Sequence, residues 1–336
     1  MGFLDKIFGG GKAKDTSADK MLQVIREGTT VDYVKVIPAD QKPTQWNSKI
    51  GGMPYMPQGF VYPYDETVAP ADLDKSKAVE QPQMPPSDVL LGGAGQPQVA
   101  NPEVVLEDEG LKGQGVTEVA KQEKKPLRFL GQLNFSEIPA LEGFPDEGIL
   151  QFFISGDATY GLNFENRSDQ KGFRVIYHEH VTEDAAALQS AMPTEGVEWS
   201  DSFPVEEEMK LRFEKASMPM TSWDFRFDKL LLEAYNETHV IPIPALDRVE
   251  ENVFDKVYDK LESEGHRVGG YPAFTQLDPR EYDEAFKEHT VLLFQLDSDP
   301  EHGISWGDSG VCNFFIRPED LAKRDFSNVL YNWDCY

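Results

Sequence analysis

The chain has 336 residues, with 59 acidic and 32 basic side chains and a formal net charge of −27. This charge repels phosphate backbones and anionic lipids, which argues against nucleic acid as a partner and favours a cationic protein or a metal cation. Acidity also serves solubility. Two cysteines are too few for a disulfide framework, and no run approaches about 18 apolar residues, so we expect a cytoplasmic protein without stable membrane insertion.

Residues 1–16 form a predicted flexible N-terminal segment. Phe3, Leu4, Ile7 and Phe8 would share one face of a short helix, followed by glycines 9–11. Such a helix either docks weakly on a membrane or partner, or frays without a partner. Ser17 then predicts the start of a helix to residue 27, and a strand is expected at 31–37.

Between residues 65 and 125 the composition changes. Prolines and glycines interrupt a polar, mostly acidic stretch with almost no aromatic side chains. A segment of this kind cannot bury enough apolar surface to offset the entropy of ordering the chain. We therefore predict a disordered insertion at 65–125.

After the insertion, short strand patterns alternate with turn residues. Strands are predicted at 149–154, 173–178, 210–213, 291–296, 311–316 and 329–333, and helices at 182–192, 249–261, 278–287 and 318–323. The spacing of the strands is typical of an antiparallel meander or barrel. The predicted fold class is mainly β (α+β), a β roll or barrel-like domain with a few peripheral helices.

The same unit occurs twice. Each copy has a Gly-Gly-x-Pro turn, a strand with Gln-Leu followed by Asn or Asp, and a strand with Phe-Phe-Ile. The matching pairs are 50–54 with 268–272, 130–134 with 293–297, and 146–154 with 308–316. We predict one duplicated domain over 17–336, with a first copy at about 30–190 and a second at about 191–336.

A cleft between two equivalent halves is the default place for a ligand. Glycine turns let backbones approach closely there, because glycine has no Cβ atom. The predicted cleft residues are His266, Gly269, Gly270, Tyr271, Gln295, Trp306 and Gln132.

Acidic residues cluster near the end of one strand of the second copy. Asp297 and Asp299 follow the Gln-Leu strand, and Asp308 precedes the next strand. Carboxylates gathered at one sheet end would suit a divalent cation such as Ca²⁺. Aspartate is also common in turns, where it accepts local backbone hydrogen bonds, so the cluster is either a metal site or turn structure.

Two motifs suggest chemistry that we do not adopt. The residues 307–310, Gly-Asp-Ser-Gly, resemble a serine-protease nucleophile, but the first copy has Asp-Glu-Gly at 146–148, which indicates a turn that enters a strand. His178 and His180 have the spacing of some metal sites, yet no third ligand follows. A solvated strand is the preferred interpretation there.

The repeated motifs resemble the YwqG-like family, a bacterial domain of unknown function. The resemblance is carried by residues 266–272, 293–299, 306–310 and 314–321, together with 129–134 and 148–154. It implies a mainly β, internally duplicated roll in the cytoplasm, with no established activity and no cofactor. Some members resemble components of toxin and immunity gene neighbourhoods, which implies binding rather than catalysis.

The leading hypothesis is a non-catalytic binding protein for a protein partner, such as an immunity-type protein that captures a basic toxin domain. One alternative is a metal-binding or metal-dependent protein that uses Asp297, Asp299 and Asp308. Another is an enzyme with a small-molecule cleft between the copies.

Overall fold

The computed structural model describes residues 17–67, 124–199, 203–261 and 264–336. These ranges hold ten strands and five α-helices. The strands are β1 Val31–Ala39, β2 Lys49–Ile50, β3 Arg128–Asn134, β4 Ile149–Ile154, β5 Phe173–His178, β6 Met209–Met218, β7 Arg267–Gly269, β8 Val291–Asp297, β9 Val311–Ile316 and β10 Val329–Asp334. The helices are α1 Ser17–Thr29, α2 Phe227–Thr238, α3 Glu251–Asp259, α4 Pro279–Tyr282 and α5 Pro318–Lys323.

All ten strands form one antiparallel sheet in the order β10-β9-β8-β7-β1-β6-β2-β3-β4-β5. The first copy supplies β1 to β5 and the second copy β6 to β10. The first strand of each copy pairs with the second strand of the other copy, since β1 pairs with β7 and β6 with β2. The copies therefore exchange a strand across the centre of the sheet, and each flank depends on a strand from the other copy.

The sheet curls into a nearly closed barrel. The loop before β5 reaches the opposite edge, where Arg167 O accepts the Tyr331 N–H at 3.0 Å. Inside, the two copies share one core, because the Phe152 ring of β4 lies 5.3 Å from Phe294 and 4.7 Å from Phe314 of the second copy. The mainly β, duplicated, barrel-like fold predicted from the sequence is confirmed.

A buried glutamine in each copy ties the loop around the Gly-Gly turn to the sheet. Each side-chain oxygen accepts a backbone N–H just after the turn, and each amide donates to a carbonyl just before it. The bonds join Gln132 Oε1 to Tyr55 N (2.8 Å), Gln132 Nε2 to Asn47 O (2.8 Å), Gln295 Oε1 to Ala273 N (2.7 Å) and Gln295 Nε2 to Gly265 O (2.7 Å). The duplication thus extends to individual buried hydrogen bonds, and we call these two side chains the glutamine clamps.

Helices α1, α2 and α3 pack together against one end of the sheet. In α1 the buried side chains Ala18, Met21, Leu22 and Ile25 recur every three or four residues, as one helix face requires. They share an apolar cluster with Met218 at the end of β6 and with Tyr271. This packing covers one end of the outer sheet surface next to β1 and β7.

Two of the predicted helices differ from the structure. The prediction of a helix at 182–192 is wrong, because only a short 3₁₀ turn, Ala185–Ala187, forms there. The neighbouring backbone pairs with the first copy instead, since the Gln189 N–H donates to Met56 O at 2.8 Å. The helix expected at 278–287 ends at Tyr282, and a separate 3₁₀ turn, Glu284–Phe286, follows because Asp283 caps it.

Helix α2 is not predicted from the sequence, although its buried residues Phe227, Leu231 and Ala234 have helical spacing. By contrast, β9 and α5 have the predicted bounds. Strand β6 runs well beyond the predicted 210–213, because its whole length pairs with β1. Tertiary pairing therefore decides elements for which the local pattern is weak.

The predicted flexible segment, residues 1–16, and most of the predicted insertion, 68–123, lie outside the described residues. The described ends of the insertion are adjacent, since the Asp65 N–H donates to Lys125 O at 2.9 Å. Within the described ranges, none of the helices combines the length and apolar character needed to cross a membrane.

Candidate functional site

A cavity of about 500 Å³ opens on the outer face of the sheet where the two copies meet. One wall comes from β1 of the first copy, and the others come from β7, the end of β8 and the loop after it. The side chains that matter for its chemistry are Tyr33, Lys35, Glu264, His266, Asp299 and His302. The cavity exists because the strand exchange places β1 beside β7.

Two histidines share one carboxylate at this cavity. His266 Nδ1 accepts the Asp297 N–H at 3.0 Å, so its proton is assigned to Nε2, which faces Asp299 Oδ2 at 3.5 Å. The same oxygen lies 2.7 Å from His302 Nδ1. Because a carboxylate only accepts, His302 Nδ1 carries the proton of this contact.

The charge states follow from burial and from these contacts. Burial lowers the pKa of His266, even though the nearby carboxylates favour its charged form, so this imidazole is neutral at pH 7. Burial alone would raise the pKa of Asp299. The hydrogen bonds and charges of His302 and His266 outweigh that effect and hold the pKa below its ordinary value. Asp299 is therefore an ionised, acceptor-only group.

Two opposite charges at the cavity have no ion-pair or hydrogen-bond partner for their side chains within the described ranges: the ammonium of Lys35 and the carboxylate of Glu264. Arg267 differs, because its guanidinium is buried and donates to the carbonyls of Glu264 at 2.7 Å and Tyr271 at 3.2 Å. Arg267 thus supports the cavity from below, while Lys35 and Glu264 are available to a ligand.

The first copy provides an internal comparison for His266. Ser48 occupies the equivalent position, and its Oγ accepts the Asn134 N–H at 2.8 Å, just as His266 Nδ1 accepts the Asp297 N–H. A hydroxyl is therefore sufficient for the structural bond. The imidazole of His266 adds an Nε2 donor that this bond does not need.

In the first copy a carboxylate bonds to the residues equivalent to two that line the cavity. Glu137 folds back there, and its carboxylate accepts from Asn47 Nδ2 at 2.6 Å and from the Ser48 N–H at 2.7 Å. Asn47 and Ser48 are the counterparts of Gly265 and His266, which line the cavity. These two residues are therefore bonded to a carboxylate of their own copy, whereas Gly265 and His266 border the cavity.

Three residues predicted from the sequence meet at this cavity: His266, Asp297 and Asp299. Asp308 does not join them. It is exposed in the turn before β9, where its backbone carbonyl accepts the Tyr336 N–H at 3.1 Å. Within the parts of the chain that the structure describes, no three His, Cys, Asp or Glu side chains are grouped to hold a metal ion. The divalent-cation site stays a prediction without a ready set of ligands in those parts.

The structure places the other predicted cleft residues in structural roles. Gly269 and Gly270 have φ of +72° and +70°, and a Cβ atom on Gly270 would lie 2.6 Å from Met218 Sδ. Tyr271 donates its hydroxyl to Thr29 O at 2.8 Å and so joins the helix layer to the turn. These residues shape the turn beside the cavity without lining it.

Gln132, Gln295 and Trp306 are also buried away from the cavity. The two glutamines are the clamps described above. The Trp306 ring lies edge-on to Tyr160 at 5.6 Å and belongs to the shared core. Their side chains are buried in the core or bonded to the turns.

Sequence reasoning missed Tyr33, Lys35, Glu264 and His302. His302 had a usable signal, because it follows Asp299 by three residues, a spacing that joins side chains in a helical turn. Tyr33 and Lys35 had none, since only the exchange of β1 brings them to the second copy. The missed residues supply both of the unpaired charges.

Both motifs set aside above have structural roles. Ser309 is exposed in a left-handed turn with φ of +53°, as expected for a turn that enters β9. His178 is not on a solvated strand as expected, because its Nε2 contacts Gln151 Oε1 at 2.8 Å and burial lowers its pKa to about 4. His180 lies exposed beyond the end of β5.

The hydroxyl of Ser298 is fixed by the loop beside the cavity. It donates to Gly310 O at 2.7 Å and accepts the Trp306 N–H at 3.0 Å. It is therefore held by the loop and cannot turn toward His302 without losing both bonds. What the cavity offers is fixed charges and hydrogen-bonding groups.

These features define a class of protein: a duplicated β domain whose copies exchange a strand and enclose a charged cavity at their junction. The family described as Domain of unknown function (DUF1963) matches residues 48–335, and the chain belongs to that family. The match is consistent with the YwqG-like resemblance. A comparison with curated proteins finds no match.

Proposed function

We propose that the protein is a non-catalytic binding protein that captures a basic protein partner. The observation that carries this proposal is a group of three exposed carboxylates in the second copy, which we call the acidic ridge: Glu206, Glu207 and Glu301. None of the three side chains has an ion-pair or hydrogen-bond partner within the described ranges.

The acidic ridge adjoins the cavity. The Glu206 N–H donates to Gly303 O at 3.2 Å, and Val205 bridges to Ile304. The segment that carries Glu206 and Glu207 is therefore held against the loop that carries Glu301 and His302.

Unpaired like charges on one surface repel each other, and a cationic partner relieves that repulsion. Complementary charge also steers association, and such steering raises on-rates by about 10- to 1,000-fold at low ionic strength. The net charge of −27 acts in the same direction.

The test starts with capture from a lysate of the source organism on the immobilised protein, at about 50 mM and about 500 mM salt, where the screening lengths differ about threefold. A partner eluted by high salt is purified and titrated against two triple variants, each of which removes three negative charges. The ridge variant is Glu206→Gln, Glu207→Gln, Glu301→Gln, and the control variant is Glu183→Gln, Glu237→Gln, Asp255→Asn, at exposed positions outside the ridge.

We expect the ridge variant to associate about tenfold more slowly and the control to stay within about twofold of the wild type. The proposal fails if no protein is retained at low salt. It also fails if the ridge and control variants bind the purified partner equally well.

A further inference from the structure

Resting on this proposed function, we infer that the cavity between the copies receives a cationic side chain of the partner, an arginine or a lysine.

The lining carries an excess of negative charge. Leaving the two histidines aside, the lining has two cations, Lys35 and Arg267, and three anions, Glu264, Asp297 and Asp299. The Arg267 guanidinium is already committed to backbone carbonyls below the cavity. A further positive charge is therefore the one that the open space favours.

The free acceptors lie on two of the three carboxylates. Asp297 is occupied, because its oxygens accept the N–H groups of Gly265 at 2.7 Å and Ser298 at 2.9 Å. Asp299 uses Oδ2 for the histidines and leaves Oδ1 free, and Glu264 has both oxygens free. A guanidinium or ammonium group can donate to these oxygens, and charge-assisted bonds of this kind are the strong ones.

The opposite wall suits the aliphatic stem of such a side chain. Tyr33, Ile37 and Pro38 are half-buried and line the cavity along β1. The Tyr33 ring centroid already lies 5.9 Å from the guanidinium carbon of Arg267, so this ring is placed to face a cation. A long basic side chain combines an apolar stem with a charged end.

In the first copy the equivalent hydrogen-bonding groups have partners within the copy. There the Glu137 carboxylate already accepts hydrogen bonds from Asn47 and Ser48 of the same copy. In the second copy Asp299 and Glu264 line the cavity and keep carboxylate oxygens without hydrogen-bond partners in the described ranges. The second copy thus has carboxylate oxygens available to an external cation, whereas the carboxylate of the first copy is bonded internally.

Substitution of Lys35 tests whether the cavity prefers a cation or an anion. Its unpaired ammonium competes with an incoming cation, so Lys35→Gln should tighten binding of a cation and weaken binding of an anion. Glu264→Gln should do the reverse. Both side chains lack partners in the described ranges, so neither substitution removes a structural bond.

The experiment titrates the full-length protein with n-butylguanidinium and n-butylammonium, with n-butylurea and butyrate as the uncharged and anionic controls. Binding is followed by the methyl NMR signal of Ile37 and by calorimetry. We expect dissociation constants near 1 mM for the two cations, a roughly threefold to tenfold weakening in Glu264→Gln, a tightening in Lys35→Gln, and no change in Glu237→Gln.

Butyrate binding more tightly than n-butylguanidinium, or weaker cation binding in Lys35→Gln, overturns the inference. So does the lack of any shift at Ile37 with either cation. If the cations fail to bind while a basic partner is still captured through the acidic ridge, this inference alone falls. If the cations bind while no partner is captured, the proposed function alone falls.

Discussion

Replacing the two glutamine clamps tests how far the copies are equivalent. Gln132→Leu removes four hydrogen bonds, two described above and two more, to Gln151 Nε2 at 3.0 Å and Gln45 O at 2.9 Å. Gln295→Leu removes two, and Gly265 O keeps a bond from Arg267 at 3.4 Å. The two substitutions therefore leave different numbers of buried groups unpaired.

A buried donor or acceptor without a partner costs about 1 to 3 kcal/mol. In Gln295→Leu the main loss is the Ala273 N–H, so we expect about 2 kcal/mol less stability. In Gln132→Leu the Tyr55 N–H and two carbonyls lose partners, so we expect about 4 kcal/mol. With an m-value of about 3 kcal/mol/M, urea midpoints should fall by about 0.7 M and about 1.3 M.

Urea denaturation followed by tryptophan fluorescence measures both midpoints. Gln23→Leu, at an exposed position on α1, is the control and should change stability by less than about 0.5 kcal/mol. A Gln132→Leu variant that is as stable as this control, or more stable than Gln295→Leu, would show that the clamps do not hold the turns as described.

Three further predictions concern buried charges and metals. Burial lowers the pKa of His178 to about 4, so stability should fall by up to about 3 kcal/mol as pH drops from 6.5 to 4, because the unfolded chain binds the extra proton. Burial raises the pKa of Asp334 to about 6, so protonation of this group adds stability as the pH falls over the same range. In urea melts, Asp334→Asn should therefore lose stability more steeply with acid than the wild type, and His178→Phe should gain stability with acid. Identical pH profiles would contradict both assignments. Lys49 is 1% exposed and paired with Glu208 at 3.1 Å, so Glu208→Gln should lower the free energy of unfolding by about 3 kcal/mol because it leaves a buried charge unpaired. The double variant with Lys49→Met should recover most of that loss. A double variant no more stable than the single one would contradict this expectation. Ca²⁺, Mg²⁺, Zn²⁺ and a chelator should leave the thermal midpoint unchanged, and a metal-induced rise that disappears in Asp299→Asn would instead support the divalent-cation alternative.

Much of the fold was predictable because the duplication can be recognised from local sequence motifs. The Gly-Gly turns, the clamp glutamines and the Phe-Phe-Ile strands each occupy equivalent places in both copies. The exchange of β1 and β6 was not predictable, because strand pairing across long separations leaves no local pattern. The same limit applies to residues 182–192, where pairing with the loop after β2 overrides a helical pattern.

The candidate site was predictable only in its second-copy part. His266, Asp297 and Asp299 could be identified because they border recognisable motifs of that copy. Lys35 comes from the first strand of the other copy, and Glu264 lies in a loop without a motif. The two unpaired charges at the cavity were thus the residues that only three-dimensional structure could supply.

The salt dependence of partner affinity is the most direct test of the proposed function. The partner captured at low salt is titrated between about 50 and about 500 mM salt against the wild type, the ridge variant and the control variant. We expect affinity for the wild type and the control to fall at least about tenfold over this range, and affinity for the ridge variant to start lower and fall less. An equal salt dependence for all three proteins would contradict capture through the acidic ridge.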